Sequence, residues 1–100
     1  MNDYYLEKSN RKDKKYMVYY IKDGKLRNIH FGASGYDDFI LSKGDEDKKK
    51  NYIKRHQVKE DWSDLEKAGT FARFLLWNMK TLRDSIKDME KRFNIKIHTI

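Results

Sequence analysis

The chain has 100 residues without cysteine or proline, and 23 Lys and Arg against 16 Asp and Glu give it a net charge of +7. That length makes one small domain, residues 1–100, with a thin core that no disulfide or thiolate metal site can brace. No run of about 18 apolar residues could cross a membrane, and residues 1–20 lack a signal-peptide pattern, so the expectation is a soluble, unexported chain suited to a reducing compartment.

DYYLEK (3–8) is a candidate first strand, and YMVYYI (16–21) reads as a second because it is rich in β-branched and aromatic types. Asp23 and Gly24 follow, the pair that supplies two positive φ angles for a type I′ turn. LRNIHF (26–31) should therefore fold back antiparallel, with Ile21 opposite Leu26, Tyr19 opposite Asn28 and Met17 opposite His30. Tyr16, Val18, Tyr20, Arg27, Ile29 and Phe31 then share the other face of the hairpin.

HFGASGYDDF (30–39) places Gly32 and Gly35 three apart. A phosphate loop would need amides converging on the anion and a helix start, whereas Asp37 and Asp38 here would repel one. The expectation is a turn in which the glycines redirect the chain and an aspartate caps amides.

After Gly44 the period changes from two to three or four. Asp45 is a good N-cap, Glu46 and Asp47 occupy a first turn, and Lys54 and Arg55 a last one, which predicts a helix over 46–58. Ser63 and Glu66 have capping-box spacing and suggest a helical turn that Gly69 interrupts. TFARFLLWN (70–78) is apolar nearly all round and predicts a central helix. Thr81 and Asp84 cap a third helix over 82–93, in which Leu82, Ile86, Met89 and Phe93 form one stripe and Asn94 ends it. The fold class is α+β: an N-terminal antiparallel sheet with three C-terminal helices on one face. Phe71, Phe74, Leu75, Ile86, Met89 and Phe93 should form the core against one side of the hairpin.

No nucleophile elbow is present, and His30, His56 and His98 lack metal-ligand spacing, so no catalytic residue, metal or cofactor is expected. Asp37, Asp38, Asp45, Glu46 and Asp47 offer a remote route to a magnesium-dependent nuclease. The clearer signal is basic. Arg11, Lys12, Lys14 and Lys15 crowd one interstrand segment, while Lys48, Lys49, Lys50, Lys54 and Arg55 lie on the first helix. Such stripes can follow a phosphate backbone, although charge runs also serve as solvated faces.

KKYMVYY, IHFGASGYDDFILSK, NYIKRHQVKEDW, AGTFARFLLWN and TLRDSIKDMEKRFNI resemble, in this order, the blocks of a small protein family of large nucleocytoplasmic DNA viruses and some phages. The resemblance spans about residues 8–95 and implies a virion-associated setting, in the virion or the cytosol or nucleus of the infected cell, without implying a reaction. Where such proteins carry an arginine-rich pattern before Arg-His, this chain has Lys48, Lys49, Lys50 and Asn51, which keep charge but lose bidentate phosphate geometry. Arg55, His56 and Trp62 are the most distinctive trio: either Trp62 stacks on a base and Arg55 meets phosphate, or Trp62 packs under the helix and His56 satisfies a buried backbone group. The functional expectation is non-specific nucleic-acid binding through phosphates, and the alternative is a minor capsid or core protein acting through viral structural partners.

Overall fold

The computed structural model describes residues 2–99, and Met1 and Ile100, the ends of the expected domain, lie outside the described residues. The chain begins with β1 (Asn2–Lys8), which pairs antiparallel with β2 (Lys14–Lys22). Asp23 and Gly24, at φ 53° and 76°, close the expected turn into β3 (Lys25–Ala33). Ile21 faces Leu26, Tyr19 faces Asn28 and Met17 faces His30, the register that the turn length dictates. Both strands extend beyond 16–21 and 26–31, because pairing continues from Lys22 with Lys25 to Lys14 with Ala33.

Gly32 and Gly35 adopt φ 78° and 84° where the chain leaves β3. A Cβ at Gly32 would sit 2.6 Å from Leu76 Cδ1, so both the backbone angle and the close approach call for glycine. Asp38 caps the turn, its Oδ1 accepting from Leu41 N at 2.8 Å.

The first helix, α1 (Glu46–His56), starts at Asp45, whose carboxylate accepts from the amides of Asp47 and Lys48. It ends two residues before the expected 58: Gln57 N still bonds Ile53 O at 2.9 Å, but Lys59 N takes His56 O at 3.1 Å in a tighter three-residue turn. No helical turn opens at Ser63. Asp61 and Asp64 instead accept from Ser63 N and Glu66 N, and these local side-chain turns outcompete the capping box. Gly69 interrupts nothing; it lies inside α2 (Ala68–Phe71), where a Cβ would collide with Glu60 Oε1.

The helix expected over 70–78 changes character within itself. After α2 it widens to a π-helix (Ala72–Leu76), and Trp77 N donates back to Ala72 O at 3.1 Å. Trp77 leaves helical geometry at φ −120° and ψ 39°. The third helix, α3 (Leu82–Phe93), matches its expected bounds, with Thr81 accepting from Asp84 N and Asn94 in the left-handed region at φ 54°.

One strand lies beyond the sequence reading. β4 (Ile95–Thr99) follows Asn94 directly and runs parallel to β1, so the sheet has the order β3-β2-β1-β4. The architecture is α+β, a four-stranded sheet with the helices on one face. Tyr4, Leu6, Val18, Phe31, Ile95 and Ile97 of the sheet meet Phe71, Phe74, Leu75 and Met89 of the helices in one buried cluster, with Ile86 and Phe93 half-buried at its margin. Burying a side chain as fully as Phe71 contributes about 1.5–3 kcal/mol. No helix of the described residues is long and apolar enough to cross a membrane.

Candidate nucleic-acid interface

The basic residues singled out in the sequence divide into two groups according to what each side chain touches. Lys15 Nζ is held by Asp38 Oδ2 at 2.7 Å and by Tyr36 O at 2.6 Å, largely out of solvent. Lys49 Nζ donates to Asn78 O at 2.7 Å and lies 4.8 Å from the Phe39 ring centre; burial, with Arg73 nearby, pulls its pKa below the usual lysine value. Lys48 pairs with Asp37, and Arg11 with Asp13 at 3.2 Å. These four cations fasten the fold or a neighbouring carboxylate.

Lys12, Lys14, Lys50, Lys54 and Arg55 form the second group: their side chains make no hydrogen bond or ion pair among the described residues. Lys12, Lys50, Lys54 and Arg55 are exposed. At 100° per residue, Lys48 and Arg55 share one side of α1, and the arc continues through Asn51 to Lys54 and Lys50 on the outer side.

Lys14 and Arg55, which belong to different segments, both border a cleft of about 500 Å³ between the end of the β-hairpin, α1 and the π-helix. The small residues Ala68, Gly69 and Ala72 also line it, with Glu60 packed against Gly69. Tyr52 and Trp77 provide an aromatic wall, with ring centres 4.6 Å apart and planes 9° from parallel. His56 stacks on the other side of this pair, 4.2 Å from Tyr52. Burial, reinforced by the charge of Glu60, keeps the Tyr52 phenol protonated well above its usual range.

Among the described residues the His56 side chain makes no hydrogen bond to a backbone group. Its Nδ1 lies 3.0 Å from Glu60 Oε2, one helical turn on, at ion-pair distance. Trp62 does pack beneath the helix, parallel to Tyr52 at 6.5 Å and covered by the Arg73 guanidinium at 5.3 Å. The trio therefore separates, with Arg55 and His56 on the cleft and Trp62 behind it. The spacing Lys48, Tyr52, His56, Glu60 repeats every four residues and is the signal from which this wall could have been read.

The carboxylates have local duties. Asp38 and Asp37 each hold a lysine, and Asp45 caps α1. Among the described residues no three His, Asp or Glu side chains gather as a metal site.

Residues 4–56 match a family described as a family of unknown function, DUF5754. The chain belongs to DUF5754. The matched segment runs from β1 through α1, so it contains Lys14, the glycine turn, Tyr52 and His56, whereas Trp77 and the small residues Ala68, Gly69 and Ala72 of the cleft lie beyond it. No curated protein and no solved structure matches this DUF5754 chain.

Proposed function

We propose that this DUF5754 chain is a small basic binding domain of a large DNA virus, associated with the virion, that holds nucleic acid through phosphate contacts without reading its sequence. The observation that carries the reading is the convergence of Lys14 and Arg55, unpaired among the described residues, on the rim of one cleft, with Lys50 and Lys54 extending the basic surface along α1. Cations unengaged by internal carboxylates can replace condensed counterions on a polyanion. The viral setting is supported by the ordered blocks from KKYMVYY to TLRDSIKDMEKRFNI. The domain binds and does not cut.

Fluorescence anisotropy on two unrelated duplexes at about 50 and 200 mM salt tests the reading. Log affinity should fall linearly with log salt, by about 0.9 for each phosphate neutralised, and equally for both sequences. An affinity that ignores salt excludes the phosphate mechanism, and chelator-sensitive cleavage of plasmid excludes a purely binding role.

A specific observation favours the second reading, a structural protein docking other viral proteins. Ile21 and Leu26, paired across the hairpin, are 66% and 68% exposed on the sheet face that the helices leave open. Beside them Tyr19, Tyr5 and His98 stack across three strands at 5.6 and 4.8 Å. An interaction through this face would be insensitive to salt and lost in Leu26→Lys.

A further inference from the structure

Resting on the phosphate-binding reading, we infer that the cleft seats one unpaired nucleotide, so that the preferred ligand is single-stranded nucleic acid rather than duplex. The cleft, at about 500 Å³, falls within the roughly 300–1,000 Å³ of small-ligand sites. It has the two parts a nucleotide requires. Trp77, half-buried on the cleft and backed by Tyr52, offers the aromatic surface for a base, and Lys14 and Arg55 at the rim supply cations for the flanking phosphates. Asn51, exposed on the same wall, offers an amide donor and acceptor to a base edge.

The acidic residues at the mouth do not oppose this occupant. Asp38 is neutralised by Lys15 and Asp37 by Lys48, and the third carboxylate on the cleft, Glu60, lies 3.0 Å from His56 Nδ1, which leaves Lys14 and Arg55 as the cations with no carboxylate partner. Duplex bases are stacked inside the helix and cannot enter a cleft, whereas a single strand can splay a base onto an aromatic side chain. The π-helix contributes directly: by holding Trp77 N on Ala72 O it brings Trp77 round against Tyr52, and such π-segments recur at functional sites.

The chain has two tryptophans, so Trp62→Phe leaves Trp77 as the sole tryptophan reporter. This protein is titrated at low salt with a single strand of about 16 nucleotides, the blunt duplex of the same length, and thymidine 5′-monophosphate. Asn51→Tyr, which fills the cleft from an exposed helix position, is titrated in parallel after circular dichroism confirms its fold. The expected result is a single-strand affinity roughly 5- to 150-fold above duplex, the range that stacking one base supports, with a change in Trp77 fluorescence and loss of the preference in Asn51→Tyr. Equal affinities for strand and duplex, unaltered by Asn51→Tyr and silent at Trp77, overturn the cleft inference and leave phosphate binding standing. A Trp77 response to the mononucleotide alone overturns the strand in favour of a free nucleotide. Failure of every nucleic acid to bind at low salt removes the phosphate reading as well.

Discussion

Lys15 Nζ and Asp38 Oδ2 lie 2.7 Å apart, with the lysine side chain 14% and the carboxylate 3% exposed, and they tie the start of β2 to the turn that leaves β3. Asp38 also caps Leu41 N, and Lys15 also reaches Tyr36 O, so each charge has a second hydrogen bond inside the protein. Two residues that read in sequence as a phosphate-binding cation and a repelling anion form one internal link.

Asp38→Ala should therefore be strongly destabilising, by about 3 kcal/mol, because it strands a half-buried ammonium and removes a cap together. Urea melts would measure it. A loss under about 1 kcal/mol, the size of an exposed pair, would show that the link is not desolvated.

Phe74 packs edge-on against Phe93 at 5.3 Å, and the Arg73 and Arg92 guanidinium groups lie over its ring at 5.1 and 5.2 Å. Phe74→Ala removes these contacts and opens the helix side of the core. The expected cost is about 3–5 kcal/mol in denaturant melts, and a loss under about 1 kcal/mol would place Phe74 outside the core.

The lysine run on α1 separates by function. Replacing Lys50, Lys54 and Arg55 with glutamine should shallow the salt dependence of duplex binding by roughly two to three, since each removes a cation free to meet phosphate. Replacing Lys48 and Lys49 should hardly change that slope, because one holds Asp37 and the other Asn78 O. Lys49→Gln should instead lower the melting temperature. Anisotropy titrations and thermal melts of the two variants together distinguish these roles.

Acid should weaken the fold below the ordinary carboxylate range. The Lys48 hydrogen bond holds the Asp37 carboxyl below its usual value, and Ser63 does the same for Asp61. Burial pushes Asp88 up, but hydrogen bonds from Asn78 and Arg92 outweigh it and leave that carboxyl low too. A pKa depressed in the folded state gives stability that is complete above the unfolded value of about 3.9 and disappears as pH falls through the lower folded value. Melting temperatures measured from about pH 7 to pH 2 should hold until about pH 4 and then drop. Asp88→Asn should flatten that acid limb, and an unchanged limb would remove Asp88 from it.

Elements whose cause is local can be read from the chain alone. Asp23-Gly24 dictates the hairpin and its register because two adjacent positive φ angles admit few other turns. Asp45, Thr81 and Asn94 mark helix ends because their side chains or backbone angles act within three or four residues. The remaining features depend on contacts between distant parts of the chain. β4 is five residues long, and its partner β1 lies more than ninety positions away, so no neighbouring residue announces the pairing. The π-helix follows from packing, with Leu76 fitted against Gly32 and the Asn78 amide anchored to Phe74 O and Asp88. The candidate site was half legible: its cations stand out as runs in the chain. Which of them remain available could be set only when the fold brought Asp37, Asp38 and Asn78 up to Lys48, Lys15 and Lys49, because a lysine's availability depends on the group that folding places beside it.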